Sequence, residues 1–285
     1  MQRAPSLVVY TAVFGGYDFV PVPRLFRSLH REVAFICFAD ESTHVPRGWT
    51  KVLVEPDQAT PTLTSRKLKI LGHPMLARYA YSLWIDGNVA LDGDPRAFAE
   101  KVLAECPIAI PSHPSRTCVY DEIEVCVSAG KATQDEGDQQ LRHLVGLDMP
   151  RNLGLTETNV IARRVGHEPL DALMRAWWLA VKRGPDRDQF HLEPLVWRMG
   201  CPLARVDRNE LRGVVRFFPH RRRSYGSRRA RVVARLLRLL ADSYHTPVRP
   251  ILERMISSMT GSPALRDPTA SVRNSEDESV GRRPS

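Results

Sequence analysis

The fold is decided by the stretch Ala80-Tyr-Ser-Leu-Trp-Ile-Asp-Gly-Asn-Val-Ala-Leu-Asp92, in which an apolar segment leads into Asp86-Gly87-Asn88 and then into a second apolar segment. Large side chains lie on both faces of the first segment, and this pattern predicts a buried strand in the middle of an α/β sheet. An acidic residue at the carboxyl end of such a strand lies at the edge where open α/β sheets bind ligands.

The turn after this strand is a candidate metal and phosphate site. Because only Gly87 separates Asp86 from Asn88, both oxygen-bearing side chains can turn toward the same point. Oxygen ligands of this kind suit Mg²⁺ or Mn²⁺ bound to phosphates, as in the Asp-x-Asp motif of sugar-nucleotide glycosyltransferases. An Asp-Gly pair between two apolar segments is also typical of a β-hairpin, and that alternative stays open here.

Composition and charge narrow the class of protein. The 285 residues, 43% of them hydrophobic, suffice for one large α/β domain or two small ones. The formal net charge of +9 favours acidic partners such as phosphates, anionic glycans, nucleic acid or an anionic membrane surface. Much of this excess lies between Arg221 and Arg238, a segment rich in arginine that contains no acidic residue.

Cysteine usage and hydropathy favour a protein of a reducing compartment. The cysteines are odd in number and form no Cys-x-x-Cys pair, which argues against a zinc site or a secreted disulfide framework. No stretch approaches the length of a membrane span, and the first apolar segment is too short for a signal peptide. We expect a cytoplasmic protein that can lie peripherally on the inner face of the cell membrane.

The first strand is followed by a glycine-rich turn. Apolar segments at residues 7–13, 33–39 and 51–54 predict strands that precede the Ala80–Asp92 stretch. The turn, Phe14-Gly-Gly-Tyr-Asp18, has glycines whose backbone N–H groups could approach a nucleotide. An ordinary turn between a strand and a loop is the commoner interpretation of the same residues.

Helical patterns alternate with the strands. The first spans residues 61–78, with Thr64 or Ser65 as its N-cap and Lys69 in its first turns, where a bound anion would offset the unfavourable dipole interaction. A solvated face is the alternative. A later helix begins at Asp188, for which N-capping is the simplest role. Further helices are predicted at residues 95–105, 120–131, 135–146 and 170–181, and Trp177 and Trp178 of the last are expected in the core.

The end of the chain differs in character. Residues 228–240 alternate arginine with apolar side chains at helical spacing, which predicts a basic amphipathic helix. Such a helix can bind an anionic membrane surface, pack on the preceding domain or contact nucleic acid, and membrane binding is favoured over the other two. Residues 261–285 have the composition of a disordered segment.

Several segments, taken in order, resemble a known family. They are Tyr10–Asp18, Phe35–Asp40, Ala77–Asn88, Glu122–Lys131, Glu157–Arg163 and Arg187-Asp-Gln189. Over roughly residues 7–200 they resemble the glycosyltransferase-like family called domain of unknown function 616, which occurs in plant wall- and mucilage-related proteins and in bacterial polysaccharide loci. The resemblance implies a GT-A-type fold, namely a Rossmann-like mixed sheet flanked by helices, with a nucleotide-sugar donor and a divalent metal.

The resemblance also implies a donor site. The residues that it assigns there follow the first strands and the first helix: Thr11, Ala12, Val13, Tyr17, Asp40, Lys69, His73 and Asp86. Thr11, Ala12, Val13 and Tyr17 would line the nucleotide, and Asp40 would reach the base or the ribose. Lys69 and His73 would lie near the diphosphate.

Other residues would face the sugar and the acceptor. The resemblance implies that His113, Glu157, Asp188 and Gln189 face the sugar and the acceptor, and the last three are candidates for catalysis. Asn159, at the mouth of the same strand as Glu157, is a further candidate for contact with the sugar. An inverting enzyme needs a carboxylate base near the acceptor hydroxyl, a role that Asp188 or Glu157 would fill. A retaining enzyme needs a polar group on the opposite face of the sugar, where Gln189 or Asn159 would lie.

The metal site implied by the resemblance departs from the usual pattern. Asp86 matches the first acid of Asp-x-Asp, but Asn88 stands where the second acid is expected, which weakens a Mn²⁺ or Mg²⁺ site. His220 is assigned as a third ligand by analogy with other GT-A enzymes.

Together these observations predict a metal-assisted hexosyltransferase domain at residues 1–220, a basic helical extension at 221–260 and a disordered tail at 261–285. The expected reaction moves a hexose from a nucleoside-diphosphate sugar to a glycan acceptor in surface polysaccharide biosynthesis. A protein of the same fold that binds a nucleotide sugar or glycan without transfer is the alternative. Nucleic acid is an unlikely partner.

Overall fold

The computed structural model describes residues 6–18, 20–23 and 32–218 of the chain. The predicted basic helix, the predicted tail and His220 lie outside the described residues. The strands are β1 (Leu7–Val13), β2 (Val33–Ala39), β3 (Thr50–Leu53), β4 (Tyr81–Ile85), β5 (Val89–Leu91), β6 (Ile108–Pro111), β7 (Val160–Arg164), β8 (Ala204–Val206) and β9 (Val215–Phe217). The helices are α1 (Pro61–Leu71), α2 (Pro95–Val102), α3 (Val119–Ser128), α4 (Gln134–Gly146), α5 (Glu168–Arg183), α6 (Gln189–Met199) and α7 (Arg208–Arg212).

Seven strands form one mixed sheet in the order β3-β2-β1-β4-β7-β6-β8. The first four neighbours are parallel, β7 is antiparallel to both β4 and β6, and β8 is parallel to β6. All strands of this sheet except β7 therefore run in the same direction. Their carboxyl ends meet at one edge, and the residues that enter β7 lie at that same edge.

The alternation of side chains in the central strands separates two core layers. Tyr10, Trp84 and Ile161 pack on one face with buried residues of α1 and α5, including Trp177. Val9 and Leu83 pack on the other face with residues of α2. Trp177 is fully buried and Trp178 nearly so, which confirms that both tryptophans belong to the core. The prediction of a mixed α/β sheet flanked by helices is also confirmed.

The predicted start of the helix at residue 61 is confirmed, but its predicted N-cap and its predicted end at residue 78 are wrong. Thr60 caps the helix by accepting a hydrogen bond from the N–H of Leu63, so α1 begins earlier than Thr64 or Ser65 would allow. The helix stops at Gly72, whose φ of 73° is left-handed and therefore suits glycine, and a separate 3₁₀ turn follows at Pro74–Arg78. Lys69 consequently lies in the last turn of α1, where its charge complements the helix dipole.

The turn after β4 does not close a β-hairpin. The N–H of Val89 donates to the carbonyl of Asp86 at 2.9 Å, which closes a tight turn. Beyond that turn, however, β5 pairs antiparallel with β9 in a separate two-stranded sheet, while β4 pairs with β1 and β7. The hairpin alternative is therefore wrong, and Asp86 lies at the carboxyl edge of the main sheet.

Candidate active site

Asp86 is held at the sheet edge by its neighbours. Its N–H donates to the carbonyl of Asn159 at 2.9 Å, and its Oδ1 accepts a hydrogen bond from Trp84 Nε1 at 2.8 Å. A Cβ atom on Gly87 would lie 2.6 Å from Val13 Cγ2, so the turn can approach β1 only because this residue is glycine. Asp18, which is nearly buried, lies against the same glycine.

Lys69 joins Asp86 to Asp188. Its Nζ lies 2.6 Å from Asp188 Oδ2 and 3.6 Å from Asp86 Oδ1, and it donates to Thr158 Oγ1 at 3.0 Å. Thr158 in turn donates to Asp188 Oδ2 at 3.0 Å. We refer to Lys69, Asp86, Thr158 and Asp188 as the lysine cluster. Lys69 thus brings together two carboxylates that the sequence analysis selected separately, Asp86 after β4 and Asp188 at the start of α6.

Asp188 has a larger role than N-capping. Asp188 stands at the N-cap position, but its side chain makes no capping hydrogen bond to α6, so the interpretation of this carboxylate as a cap is wrong. Burial alone would raise the pKa of its carboxyl group, but the charges of Lys69, Arg66 and Arg187 and the hydrogen bond from Lys69 together hold that pKa well below its usual range. The carboxylate is therefore ionised throughout the physiological range of pH.

The side chain of Gln189 joins the beginning of α6 to the backbone of the loop that enters β7. Its Nε2 donates to the carbonyl of Thr156 at 2.7 Å, and its side chain is nearly buried. The carbonyl of Asp188 accepts a hydrogen bond from Trp177 Nε1 at 2.8 Å. These bonds tie the beginning of α6 to α5 and to the loop that enters β7, so the position of the lysine cluster is set by buried groups.

A second polar group, which we call the histidine cluster, follows β6. It consists of His113, Arg116 and Glu122. Arg116 Nη2 lies 2.5 Å from Glu122 Oε2 and 2.9 Å from His113 Nε2, and the Nδ1 of His113 accepts the N–H of Arg116 at 3.0 Å. Burial and the neighbouring Arg116 charge lower the pKa of His113, so this side chain is neutral at pH 7.

Glu157 and Asn159 lie at the entrance of β7. The N–H of Glu157 donates to the carbonyl of Pro111 at 2.8 Å, and its Oε2 lies 3.2 Å from Arg208 Nη2. The Glu157 side chain is 29% exposed, so it is the more accessible of the two carboxylates predicted for catalysis. The Oδ1 of Asn159 is buried and has no hydrogen-bond partner in the described structure.

Asp40, which is predicted to reach the nucleotide, is hydrogen-bonded to the glycine turn and to Thr43. Asp40 Oδ2 accepts the N–H of Gly15 at 2.6 Å, and its Oδ1 accepts the N–H of Thr43 at 2.9 Å. Burial alone would raise the pKa of Asp40, but these bonds and those from side-chain hydroxyls keep it below its usual value. Because Gly16 N–H donates to Thr43 Oγ1 at 3.2 Å, both glycine N–H groups have protein acceptors, as expected for an ordinary turn.

The other donor residues differ in exposure. Thr11, Ala12 and Val13 are buried at the end of β1, and the hydroxyl of Thr11 has no partner within the described part of the chain. Tyr17 is 46% exposed at the glycine turn. His73 begins the 3₁₀ turn, where its Nδ1 accepts the N–H of Met75 at 3.3 Å. The centroid of its ring lies 4.9 Å from that of the Phe38 ring. None of the contacts described for His73 reaches the lysine cluster.

The described residues alone do not make a complete metal site. Asn88 Nδ2 donates to the carbonyl of Phe218, which joins the turn to the end of β9. Within residues 6–18, 20–23 and 32–218, no three His, Cys, Asp or Glu side chains lie close enough to hold a metal ion. The Lys69 ammonium group also lies 3.6 Å from Asp86 Oδ1, so this oxygen already faces a cation. Metal binding thus stays a prediction that involves His220.

Sequence reasoning missed several residues of the site. Thr158 and Arg208 were not predicted, although Thr158 lies between two predicted residues. Arg116 and Asp18 were also missed. A polar residue next to a strand end is a weak signal, because most such residues are solvated; the contacts of these four depend on which strands are neighbours in the sheet.

The fold is a mixed α/β sheet with polar side chains gathered at the carboxyl edge of its strands. The chain belongs to the TOD1/MUCI70 glycosyltransferase-like domain family, whose model matches residues 1–207. This confirms the resemblance to a glycosyltransferase-like family drawn from the sequence.

One curated relative is the probable hexosyltransferase MUCI70 of Arabidopsis thaliana, 31% identical over 221 residues. The match covers 66% of this chain and 37% of the relative, so the chain spans little more than a third of that protein.

Two solved structures also show similarity. The apo structure of the bifunctional glycosyltransferase WbbM matches with a TM-score of 0.44 and 9% identity, over 89% of this chain and 52% of that chain. The 2-C-methyl-D-erythritol 4-phosphate cytidylyltransferase of Thermus thermophilus matches with a TM-score of 0.35 and 17% identity, over 72% of this chain and 89% of that chain.

Proposed function

We propose that this protein is a glycosyltransferase that moves a hexose from a nucleoside-diphosphate sugar to a hydroxyl group of a glycan acceptor, in the assembly of a surface polysaccharide. Membership of the family supports sugar transfer, and the name of the Arabidopsis relative supports a hexose. The observation that carries the proposal is the lysine cluster at the carboxyl edge of the sheet. The mixed sheet with helices on both faces is consistent with a GT-A-type fold.

The reaction requires few groups from the protein. The acceptor oxygen attacks the anomeric carbon, the bond from that carbon to the diphosphate oxygen breaks, and the hydroxyl proton passes to a base. Positive charge develops on the sugar and negative charge on the departing diphosphate. The protein must therefore place an anion near the sugar, a cation near the diphosphate and a carboxylate near the acceptor.

The environments of the two candidate carboxylates suggest different roles. Asp188 is held as an anion by Lys69, and its depressed pKa makes it a weak base. We assign it to positioning the site and stabilising positive charge on the sugar. Glu157 is more exposed and contacts only the exposed Arg208 among the ion pairs described, so we assign it as the base for the acceptor. Gln189 and Asn159 are candidates for contacts with the sugar.

The test of this proposal measures release of nucleoside diphosphate from a panel of nucleotide hexoses with Mn²⁺ or Mg²⁺ present. We expect Asp86→Ala to lower turnover at least about a hundredfold, because this carboxylate faces Lys69 at the carboxyl edge of the sheet, where the donor is proposed to bind. Asp121→Ala is the matched control, since Asp121 is exposed and pairs only with Arg151 on the surface. Equal turnover of the native chain and Asp86→Ala would remove Asp86 from the mechanism.

A second candidate function is a protein that binds nucleotide sugars or glycans without transferring them. It is favoured by one observation: Asn88 stands in place of an acid, and its amide nitrogen is bonded to the backbone of Phe218. Tight binding of one nucleotide sugar without turnover across an acceptor panel would support this alternative against transfer.

A further inference from the structure

Three cations surround Asp188, and they differ in how their charges are compensated. Arg66 Nη1 lies 2.8 Å from Asp186, and Lys69 lies 2.6 Å from Asp188 itself. Arg187 has no carboxylate within ion-pair distance among the described residues. Its one described hydrogen-bond contact is with a weak acceptor, the Sγ of Cys126, which lies 3.8 Å from Nη2.

Arg187 stands apart from the other shielded arginines. It is half-buried, and its Nε is buried without any acceptor. The other buried or half-buried arginines of the described ranges each have a carboxylate or a carbonyl oxygen as partner: Arg66, Arg96, Arg116, Arg163, Arg164 and Arg216. A shielded guanidinium with unused donors is costly to maintain, and an anion bound there would offset that cost.

The position of Arg187 links the two polar clusters. It directly precedes Asp188 of the lysine cluster, and its guanidinium lies against Cys126, whose Sγ donates to Glu122 of the histidine cluster at 3.2 Å. It also lies at the beginning of α6, a helix with no acidic residue in its first turn and no side-chain cap. The positive end of the helix dipole therefore adds to the charge of Arg187.

We propose that Arg187 binds an anionic oxygen group of the substrate, which we assign to the diphosphate of the donor; this assignment rests on the proposed function. A guanidinium binds phosphate oxygens through two parallel hydrogen bonds, which suits a charge that develops as the diphosphate leaves. Lys69, which the family resemblance places near the diphosphate, already donates to Asp188 and Thr158. A carboxylate of an acidic acceptor sugar is the other source of the same chemistry.

The experiment titrates the full chain with inorganic pyrophosphate, and separately with glucuronate, by isothermal calorimetry at moderate salt in the presence of a chelator. We expect saturable pyrophosphate binding that weakens at least about tenfold in Arg187→Met and by less in Arg187→Lys, which keeps the charge but loses the paired donors. Arg175→Met is the control, because Arg175 is exposed and pairs with Glu168. The arginines of residues 221–238 contribute equally to every variant.

Each outcome decides the proposal. Unchanged pyrophosphate affinity in folded Arg187→Met and Arg187→Lys, or no saturable binding by the native chain, would overturn it. If the native chain binds glucuronate but not pyrophosphate, and Arg187→Met loses that binding, the assignment to diphosphate is overturned. Arg187 would then bind the carboxylate of an acidic acceptor sugar. A chain that loses pyrophosphate binding in Arg187→Met but turns over no nucleotide sugar would support the anion site and contradict glycosyl transfer.

Discussion

Lys69 has a structural role as well as its proposed part in the site, because it compensates a buried carboxylate. Its side chain is 8% exposed and that of Asp188 is 10% exposed, so neither charge is well solvated. We expect Lys69→Met to destabilise the protein by about 3–5 kcal/mol, since an uncompensated charge would remain. Unfolding in urea at pH 7 measures this effect, and Lys69→Met/Asp188→Leu should recover part of the loss.

The control for this prediction is Lys101→Met. Lys101 pairs with Glu210 on the surface, where its side chain is 68% exposed, and such pairs contribute at most about 1 kcal/mol. A loss in Lys69→Met no greater than that in Lys101→Met would contradict the buried role of Lys69.

The pH dependence of stability follows from the depressed pKa of Asp188. Because the folded state lowers that pKa below its unfolded value, the unfolded state binds more protons on acidification. The stabilisation is therefore complete at neutral pH and declines as the pH falls below the unfolded value of about 4. We expect the free energy of unfolding to fall more steeply between pH 7 and pH 3 in the native chain than in Lys69→Met/Asp188→Leu. Parallel curves for the two proteins would show that this ion pair contributes nothing to the pH dependence of stability.

Gly87 gives a residue-level test of the turn after β4. An added methyl group would meet Val13 Cγ2 at 2.6 Å and Asp18 Cβ at 3.2 Å. We expect Gly87→Ala to cost about 1–3 kcal/mol and to lower turnover, because Asp86 must move with the turn. In Gly146→Ala the same methyl group would meet nothing within 4 Å at the end of α4, so this control should be neutral or slightly stabilising in thermal unfolding.

At the scale of the element, two adjacent arginines of β7 bind carbonyl groups at the carboxyl ends of α1 and α2, which pack on opposite faces of the sheet. Arg163 donates to the carbonyl of Ile70 at 2.6 Å and to that of Lys69 at 2.8 Å, at the end of α1. Arg164 donates to the carbonyl of Leu103 at 2.6 Å, just after α2. Burial lowers the pKa of Arg163 to about 10, so it remains charged at pH 7 and binds the carbonyl groups that helices leave unpaired.

These two arginines form a matched pair for mutation. We expect Arg163→Met and Arg164→Met each to lower the free energy of unfolding by about 1–3 kcal/mol, since each leaves helix carbonyls without partners. Only α1 carries Lys69, so only Arg163→Met should also lower nucleotide-sugar turnover, by at least about tenfold. Equal turnover of the two variants at a temperature where both are folded would show that the position of α1 does not affect the site.

The existence of most elements could be predicted from the sequence, but some of their ends could not. The apolar run before Asp86 predicts β4 because strand periodicity is local, and Asp94-Pro95 predicts the start of α2 for the same reason. Gly72 is a weaker signal, because glycine is tolerated inside helices at modest cost, and the left-handed φ that ends α1 is visible only in the structure.

At the scale of the whole molecule, the sheet order decides which predicted residues meet. The sequence predicts polar groups at the ends of strands, but the contact between Lys69 and Asp188 joins distant parts of the chain through α1 and α6. Strand order depends on long-range packing that a single sequence does not encode locally. For this reason polar residues such as Asp86 and Asp188 could be predicted at the ends of local elements, whereas the pairing of Lys69 with Asp188 could not.

The basic segment after the described residues supplies a prediction for the whole chain. We expect the full chain to cosediment with vesicles containing phosphatidylglycerol but not with vesicles of phosphatidylcholine alone, and salt should weaken this binding. Replacing Arg228, Arg229, Arg231, Arg235 and Arg238 by Gln in the full chain should abolish cosedimentation. Unchanged binding of that variant would rule out the segment as a membrane contact.

The adjacent arginines of β7 have a consequence for how the sheet assembles. Neighbouring positions on a strand face opposite sides, so sliding β7 by one position would turn each guanidinium toward the wrong helix. In a shifted strand both guanidinium groups would lose the carbonyl partners that they have here. The observed pairing of β4 with β7 gives both cations their oxygen partners, so we expect the two arginines to disfavour a shifted alignment of this strand.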